Sequence, residues 1–147
     1  MDLRDKRLRR EMGKSCACFN LRRAARLVTQ RFDRAFRDAG ITANQFSVLM
    51  ATYNQEGILL TKLAKTLGTE RTTLSRNVAL LERLGMVSIA MGGDRRERRI
   101  TITKQGITLL EKALPLWQKA QNEVVEALGQ KEWEGLLSGL HKVARGL

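Results

Sequence analysis

Histidine, proline and cysteine are scarce in this 147-residue chain, and each scarcity removes a class of explanation. The single histidine, His141, is far in sequence from Cys16 and Cys18, so no nucleophile-and-base pair is visible. Two cysteines without nearby histidines or acids cannot complete a tetrahedral metal site within one chain. No glycine-rich phosphate loop and no pair of catalytic carboxylates is present. The chain is therefore expected to be no enzyme and to need no cofactor or metal. A single proline and few strand-like runs indicate a mainly helical protein. No apolar run approaches the length that crosses a bilayer, so no membrane partner is expected. Met1 to Lys14 is charged throughout and lacks the apolar core of a secretory signal, so a cytoplasmic protein with reduced thiols is expected.

What the chain has in excess is positive charge, with 27 lysines and arginines against 15 acids, a net +12. The surplus is not spread evenly. Residues 62–104 carry a net +6, whereas 105–147 are neutral. A local basic surplus beside a neutral helical region reads as a nucleic-acid-reading module joined to an assembly module, not as a uniform polyanion coat.

Apolar residues mark the elements. Cys18, Leu21, Ala25, Val28, Phe32 and Phe36 recur at helical spacing, with Arg22, Arg23, Arg26, Arg34 and Arg37 around them, and Gly40 ends this helix. Thr42 is placed to cap a second helix carrying Phe46, Val48, Leu49 and Tyr53, closed by Gly57. Thr61 is read as the cap of a short third helix, Lys62 to Leu67, closed by Gly68. A fourth follows from about Glu70 to Leu84, with Leu74, Val78 and Leu81 inward and Gly85 as its stop. Met86 to Met91 and Arg99 to Thr103 flank Gly92-Gly93-Asp94, the pattern of a β-hairpin. Helix resumes at Lys104 with Ile107, Leu110, Leu114 and Trp117, and Pro115 should kink it or begin a new segment. A last helix spans Lys131 to about Arg145.

Residues 63–78 carry the function. Ala64 is small enough for two helices to cross closely, Gly68 permits the turn, and Leu63, Leu67, Leu74 and Val78 pack the pair. The opposite face of the second helix is left with Arg71, Thr72, Thr73, Ser75, Arg76 and Asn77. Guanidiniums, short hydroxyls and an amide at the front of one helix suit entry into a major groove, where arginine bonds guanine and asparagine bonds adenine. A plain helix hairpin with a solvated face explains the packing residues but not this concentration of groups. The hairpin tip, Asp94-Arg95-Arg96-Glu97-Arg98-Arg99, fits a narrow minor groove, with Asp94 orienting a neighbouring guanidinium. A charged edge that blocks strand aggregation is the bland alternative.

Leu63 to Gly85, followed by Asp94-Arg95-Arg96 and then Ile100, Ile102, Thr103 and Gly106, resembles the MarR family of winged-helix regulators. The resemblance covers roughly residues 16–145. It implies a mainly α fold with a small β-hairpin wing: one domain over 1–147, with a winged helix-turn-helix at 41–103, dimerisation helices at 16–39 and 104–147, and a charged arm at 1–14. It implies a homodimer on a pseudo-palindromic duplex DNA operator, acting as a repressor. Recognition residues would lie near Thr72, Thr73, Arg76 and Asn77, with a wing arginine at Arg95 or Arg96. It also implies a switch, either a small-molecule effector or an oxidant.

For an oxidant, Cys16 and Cys18 are the candidates. Residues two apart on a helix do not face each other, so joining them would require unwinding. Cys18 shares the apolar face of Leu21 and Ala25, which points to partial burial, and Arg22 lies one turn on. The peroxide-sensing branch of the family supports its thiol with tyrosines, and this chain has only Tyr53. Two small apolar fillers remain the alternative for the cysteines. A non-specific basic nucleic-acid-binding protein remains the alternative for the whole chain.

Overall fold

The computed structural model describes residues 4–92 and 97–146. Its elements run α1 (Lys6–Ser15), α2 (Ala17–Ala35), a 3-10 turn (Arg37–Ala39), α3 (Ala43–Tyr53), β1 (Ile58–Leu59), α4 (Leu60–Leu67), α5 (Arg71–Arg83), β2 (Val87–Met91), β3 (Arg98–Ile102), α6 (Lys104–Leu128) and α7 (Gln130–Gly146). The expected mainly α architecture with a small β wing is what forms.

One core lies under the central residues. Leu63, Leu74, Val78 and Leu81 of the α4–α5 pair meet Val48 and Leu49 of α3, Ile100 of β3, and Leu110 and Ala113 of α6. Phe36, at the end of α2, enters this core and stacks on Phe46, ring centroids 4.8 Å apart. α3 begins in a reciprocal cap: Thr42 accepts from the Gln45 N–H, and the Gln45 side chain accepts from the Thr42 N–H. Asp33 of α2 adds a third bond there, its carboxylate accepting from the Ala43 N–H at 2.7 Å. The lobe is thus tied to α2 at the start of α3.

Several boundaries differ from the sequence reading. Thr61 does not cap α4. The helix begins at Leu60, and its N-cap position is Leu59, because β1 pairs Ile58 and Leu59 with Ile100 and Arg99 of β3 and leads the chain directly into the helix. This third strand, too short to show a periodicity, gives a sheet of order β1-β3-β2 instead of a two-stranded hairpin. Pro115 neither ends nor divides α6, which runs unbroken from Lys104 to Leu128. The proline removes one backbone donor, while Leu110, Ala113 and Ala120 on either side are buried and hold the helix in place. Residues 6–15, read as a charged arm, form a helix capped by Asp5, with no buried side chain.

The tightest packing lies where α6 leaves the sheet. Thr103 caps α6 by accepting from the Gly106 N–H at 3.1 Å, and its hydroxyl donates toward the Gly85 carbonyl at 2.6 Å, with the Met86 carbonyl at 3.1 Å. Gly106 sits against Met86: a Cβ there would overlap the Met86 carbonyl oxygen and come within 2.8 Å of Ile102. Gly106→Ala should therefore destabilise the protein by about 1–3 kcal/mol, the usual penalty for forcing atoms into a packed site. Urea melts should show a lower midpoint at unchanged slope; an unshifted midpoint contradicts this packing.

Candidate nucleic-acid interface

α4 and α5 are joined by Gly68-Thr69-Glu70. Gly68 has φ +58°, a left-handed conformation that glycine adopts without penalty. Its N–H bonds the Lys65 carbonyl, and the Thr69 N–H reaches back to Ala64, which closes the turn. The far end of α5 closes in the same way at Gly85, where Gly85 and Met86 N–H groups bond Glu82 and Leu81 carbonyls. Both ends of α5 are thereby fixed by backbone geometry.

Leu74, Val78 and Leu81 anchor α5 to the core, and this sets which residues face out. Arg71, Thr72, Thr73 and Arg76 are exposed together on the first two turns. Ser75 and Asn77 are half-buried. Ser75 turns toward the sheet and lines a small hollow with Leu60, Val78, Ile89, Arg98 and Ile100. The six residues singled out on this helix are therefore not one face: four point to solvent, and Ser75 points to the wing.

No side chain caps the first turn of α5, because its N-cap residue, Glu70, makes no such bond. Its leading N–H groups, at the positive end of the helix dipole, suit an anion such as a phosphate oxygen. Arg71 and Arg76 form no ion pair with any described residue, so their donors are not committed to a carboxylate there.

The wing is built from β2 and β3, with Ile89 opposite Ile100 and Met91 opposite Arg98. Arg98 is exposed beside the Ser75 side of α5, which places a cation between helix and wing. Arg99 is drawn the other way, its guanidinium donating to the Gly57 carbonyl at 3.2 Å. The tip residues Asp94, Arg95 and Arg96 lie outside the described residues.

The cysteines stand apart from this surface. Cys16 is the N-cap of α2, outside the helix, with its sulfur accepting from the Phe19 N–H at 3.5 Å. Cys18 is exposed, not partly buried as its helical spacing indicated. Around it the stripe is uncovered in the single chain, with Leu21 and Val28 exposed, and only its far end, Phe32 and Phe36, meets the core. The bar to joining two cysteines on one helix also loses its premise, since only Cys18 is helical. Both thiols line an open concavity of about 580 Å³ with Phe19, Arg22, Arg23, Arg26 and Leu27. Sequence reasoning missed Glu82, whose carboxylate accepts from the Ile89 N–H at 3.1 Å and links α5 to the wing. An acid on an exposed helix position carries no pattern that reveals such a bond. Among the described residues no helix is long and apolar enough to cross a membrane.

Residues 39–97, which contain the helix-turn-helix and the first wing strand, match the model of the MarR family. The fold is similar to that of MosR, a transcriptional regulator of M. tuberculosis solved in complex with DNA, with 38% identity over 90% of this chain and 96% of that one, and a TM-score of 0.82. It is also similar to the transcriptional repressor CouR of Rhodococcus jostii RHA1. The form of CouR on a 23-mer DNA duplex is 27% identical, over 90% of this chain and 95% of that one, with a TM-score of 0.80. The form bound to p-coumaroyl-CoA is 26% identical, over 92% and 96%, with a TM-score of 0.82. From the helix-turn-helix, the wing and likeness along nearly its whole length, this chain belongs to the MarR family and is a DNA-binding transcription regulator, not an enzyme.

Proposed function

We propose that the protein is a sequence-specific repressor that binds duplex DNA as a homodimer and is released by a small-molecule effector. The observation that carries this reading is the group of Arg71, Thr72, Thr73 and Arg76, exposed on the opening turns of a helix whose two ends are pinned. In a major groove Arg76 donates to a guanine edge. Arg71, the threonine hydroxyls and the leading N–H groups hold phosphates. Asn77 and Ser75, half-buried, border this surface. The wing, with Arg98 at its side and Asp94, Arg95 and Arg96 at its tip, follows the adjacent minor groove. The DNA-bound MosR and CouR structures support the reading, and the effector follows from p-coumaroyl-CoA on CouR.

A second copy of the chain is proposed for the helical end. α2 and α7 bury no residue, and Phe19 (55%), Leu27 (56%) and Leu114 (49%) are exposed with Leu136, Leu137, Leu140 and Val143. So many exposed large apolar side chains on these helices support an association site. A two-fold arrangement sets the two recognition helices about 34–36 Å apart, on successive major grooves.

A second switching reading rests on the exposure of both thiols side by side. The Cys18 thiolate attacks an oxygen of an organic peroxide, the O–O bond breaks, an alcohol leaves, and a sulfenic acid remains. A second thiol, from a Cys16, then forms the S–S bond and releases water, so two electrons pass from the thiols to the peroxide.

Three outcomes test these readings. Arg76→Ala should weaken binding to the selected duplex by about 1–3 kcal/mol and affect bulk DNA much less, whereas Arg96→Ala should lower the salt slope by about one. If both variants bind like the wild type, the reading surface is misassigned. Light scattering at micromolar concentration should give twice the monomer mass, and a monomer there refutes the dimer. On the thiol reading, peroxide should reduce operator affinity about 5–150-fold, reversibly with thiol and not in Cys18→Ser. A wild type indifferent to peroxide leaves the small-molecule effector as the switch.

A further inference from the structure

The register of the wing shows what Glu82 does. Gly92 N–H bonds the Glu97 carbonyl at 2.9 Å, and Thr103 N–H bonds the Met86 carbonyl at 3.0 Å. In an antiparallel ladder hydrogen-bonded pairs alternate with non-bonded ones. Counting inward from these two pairs along the register, Ile89 and Ile100 form a non-bonded pair. The Ile89 N–H therefore points away from β3. Because β2 is an outer strand of the order β1-β3-β2, no further strand among the described residues receives that N–H. Glu82 receives it, from the last turn of α5, at 3.1 Å.

This bond sits midway along the hairpin. Ile89 is three residues from Gly92, about 10 Å at the rise of a strand. The root of the hairpin is already held by Thr103 and Met86. A rigid rod held at its root can still tilt, and a second attachment partway along fixes its angle. Val78 and Ser75, one and two turns earlier on α5, border the same hollow with Ile89 and Arg98, so the helix and the wing touch along one line.

We propose that Glu82 is a positioning residue for DNA reading: it fixes the angle of the wing to the recognition helix and so the placement of Arg98. The proposal rests on the DNA-reading function above. Its electrostatics make it testable by sign. Glu82 is an acid on a surface that approaches phosphates. If it acted through charge alone, removing it would tighten DNA binding and steepen the salt dependence. If it acts by position, losing the acceptor loosens the wing and weakens binding.

The test uses the full-length protein and the duplex that the wild type enriches from a randomised pool. Glu82→Ala should bind that duplex about fivefold more weakly, the size of one lost hydrogen bond. Glu82→Gln keeps an acceptor oxygen without the charge and should bind as tightly as the wild type or more tightly. In an Arg98→Ala background, the further effect of Glu82→Ala should shrink, because one of the wing cations it positions is gone. Amide exchange at Ile89, measured without DNA, should accelerate in Glu82→Ala and stay near wild type in Glu82→Gln. Glu82 is exposed, so both variants should fold. Equal or tighter binding by Glu82→Ala overturns the proposal, as does a full loss that persists without Arg98 or an unchanged Ile89 exchange rate. A wild type that enriches no duplex at all overturns the DNA-reading function beneath it instead.

Discussion

The close approach of Gly106 to the Met86 carbonyl is the constraint on which the reading head depends. Three elements end or begin within a few residues of that contact. α5 closes at Gly85, β2 begins at Val87, and β3 passes through Thr103 into α6. Thr103 joins them, capping α6 with one side of its hydroxyl and reaching the Gly85 and Met86 carbonyls with the other. A larger residue at position 106 would force α6 off the sheet, and the recognition helix would lose the wall against which its end is set. The orientation of Arg76 relative to the wing is thus decided at a site with no charge in it.

The two halves of the chain solve different physical problems. The lobe over α3 to β3 satisfies itself: Val48, Leu49, Leu63, Leu81 and Ile100 are fully enclosed, and no buried side-chain polar atom among the described residues lacks a partner. The helical end does not. α7, and α2 ahead of Phe32, are amphipathic yet bury no residue fully, so their apolar faces gain little from folding unless something covers them. The neutral charge of residues 105–147 fits that need for α6 and α7, since like charges would oppose close association, whereas α2 carries Arg22, Arg23, Arg26, Arg31 and Arg34 beside its apolar stripe.

Long periodic elements were legible in the sequence because burial on one face imposes their spacing. The α5 pattern of Leu74, Val78 and Leu81 fixed both the helix and its outward residues, and Gly68 and Gly85 marked its limits. Thr42 as a cap was equally plain, since a hydroxyl before a helix has a local partner. What failed was set by distant contacts. β1 exists only because β3 lies beside it, and the same pairing moved the start of α4 from Thr61 to Leu60. On the reading surface, Arg71, Thr72, Thr73 and Arg76 are exposed as the helical pattern required, but Ser75 turned inward because the wing packs against that side. Cys18 read as half-covered because periodicity reports an apolar face without saying whether this chain or another covers it.

The same connections limit how a signal from the helical end could reach DNA. Side chains join α2 to the lobe at Asp33, on the Ala43 N–H, and at Phe32 and Phe36, which pack into the core, Phe36 against Phe46. α2 is tied in turn to α6 by the Arg31–Glu123 pair at 2.6 Å, and α6 enters the head at Thr103 and Gly106. Each link is short and either packed or hydrogen-bonded, and α5 is closed by a glycine turn at both ends. Little within the head can yield gradually, because packed interiors resist continuous deformation. In the proposed dimer, an event at α2 or α6 would therefore move the head as a unit, changing the spacing of the two helices proposed to read DNA rather than the shape of either.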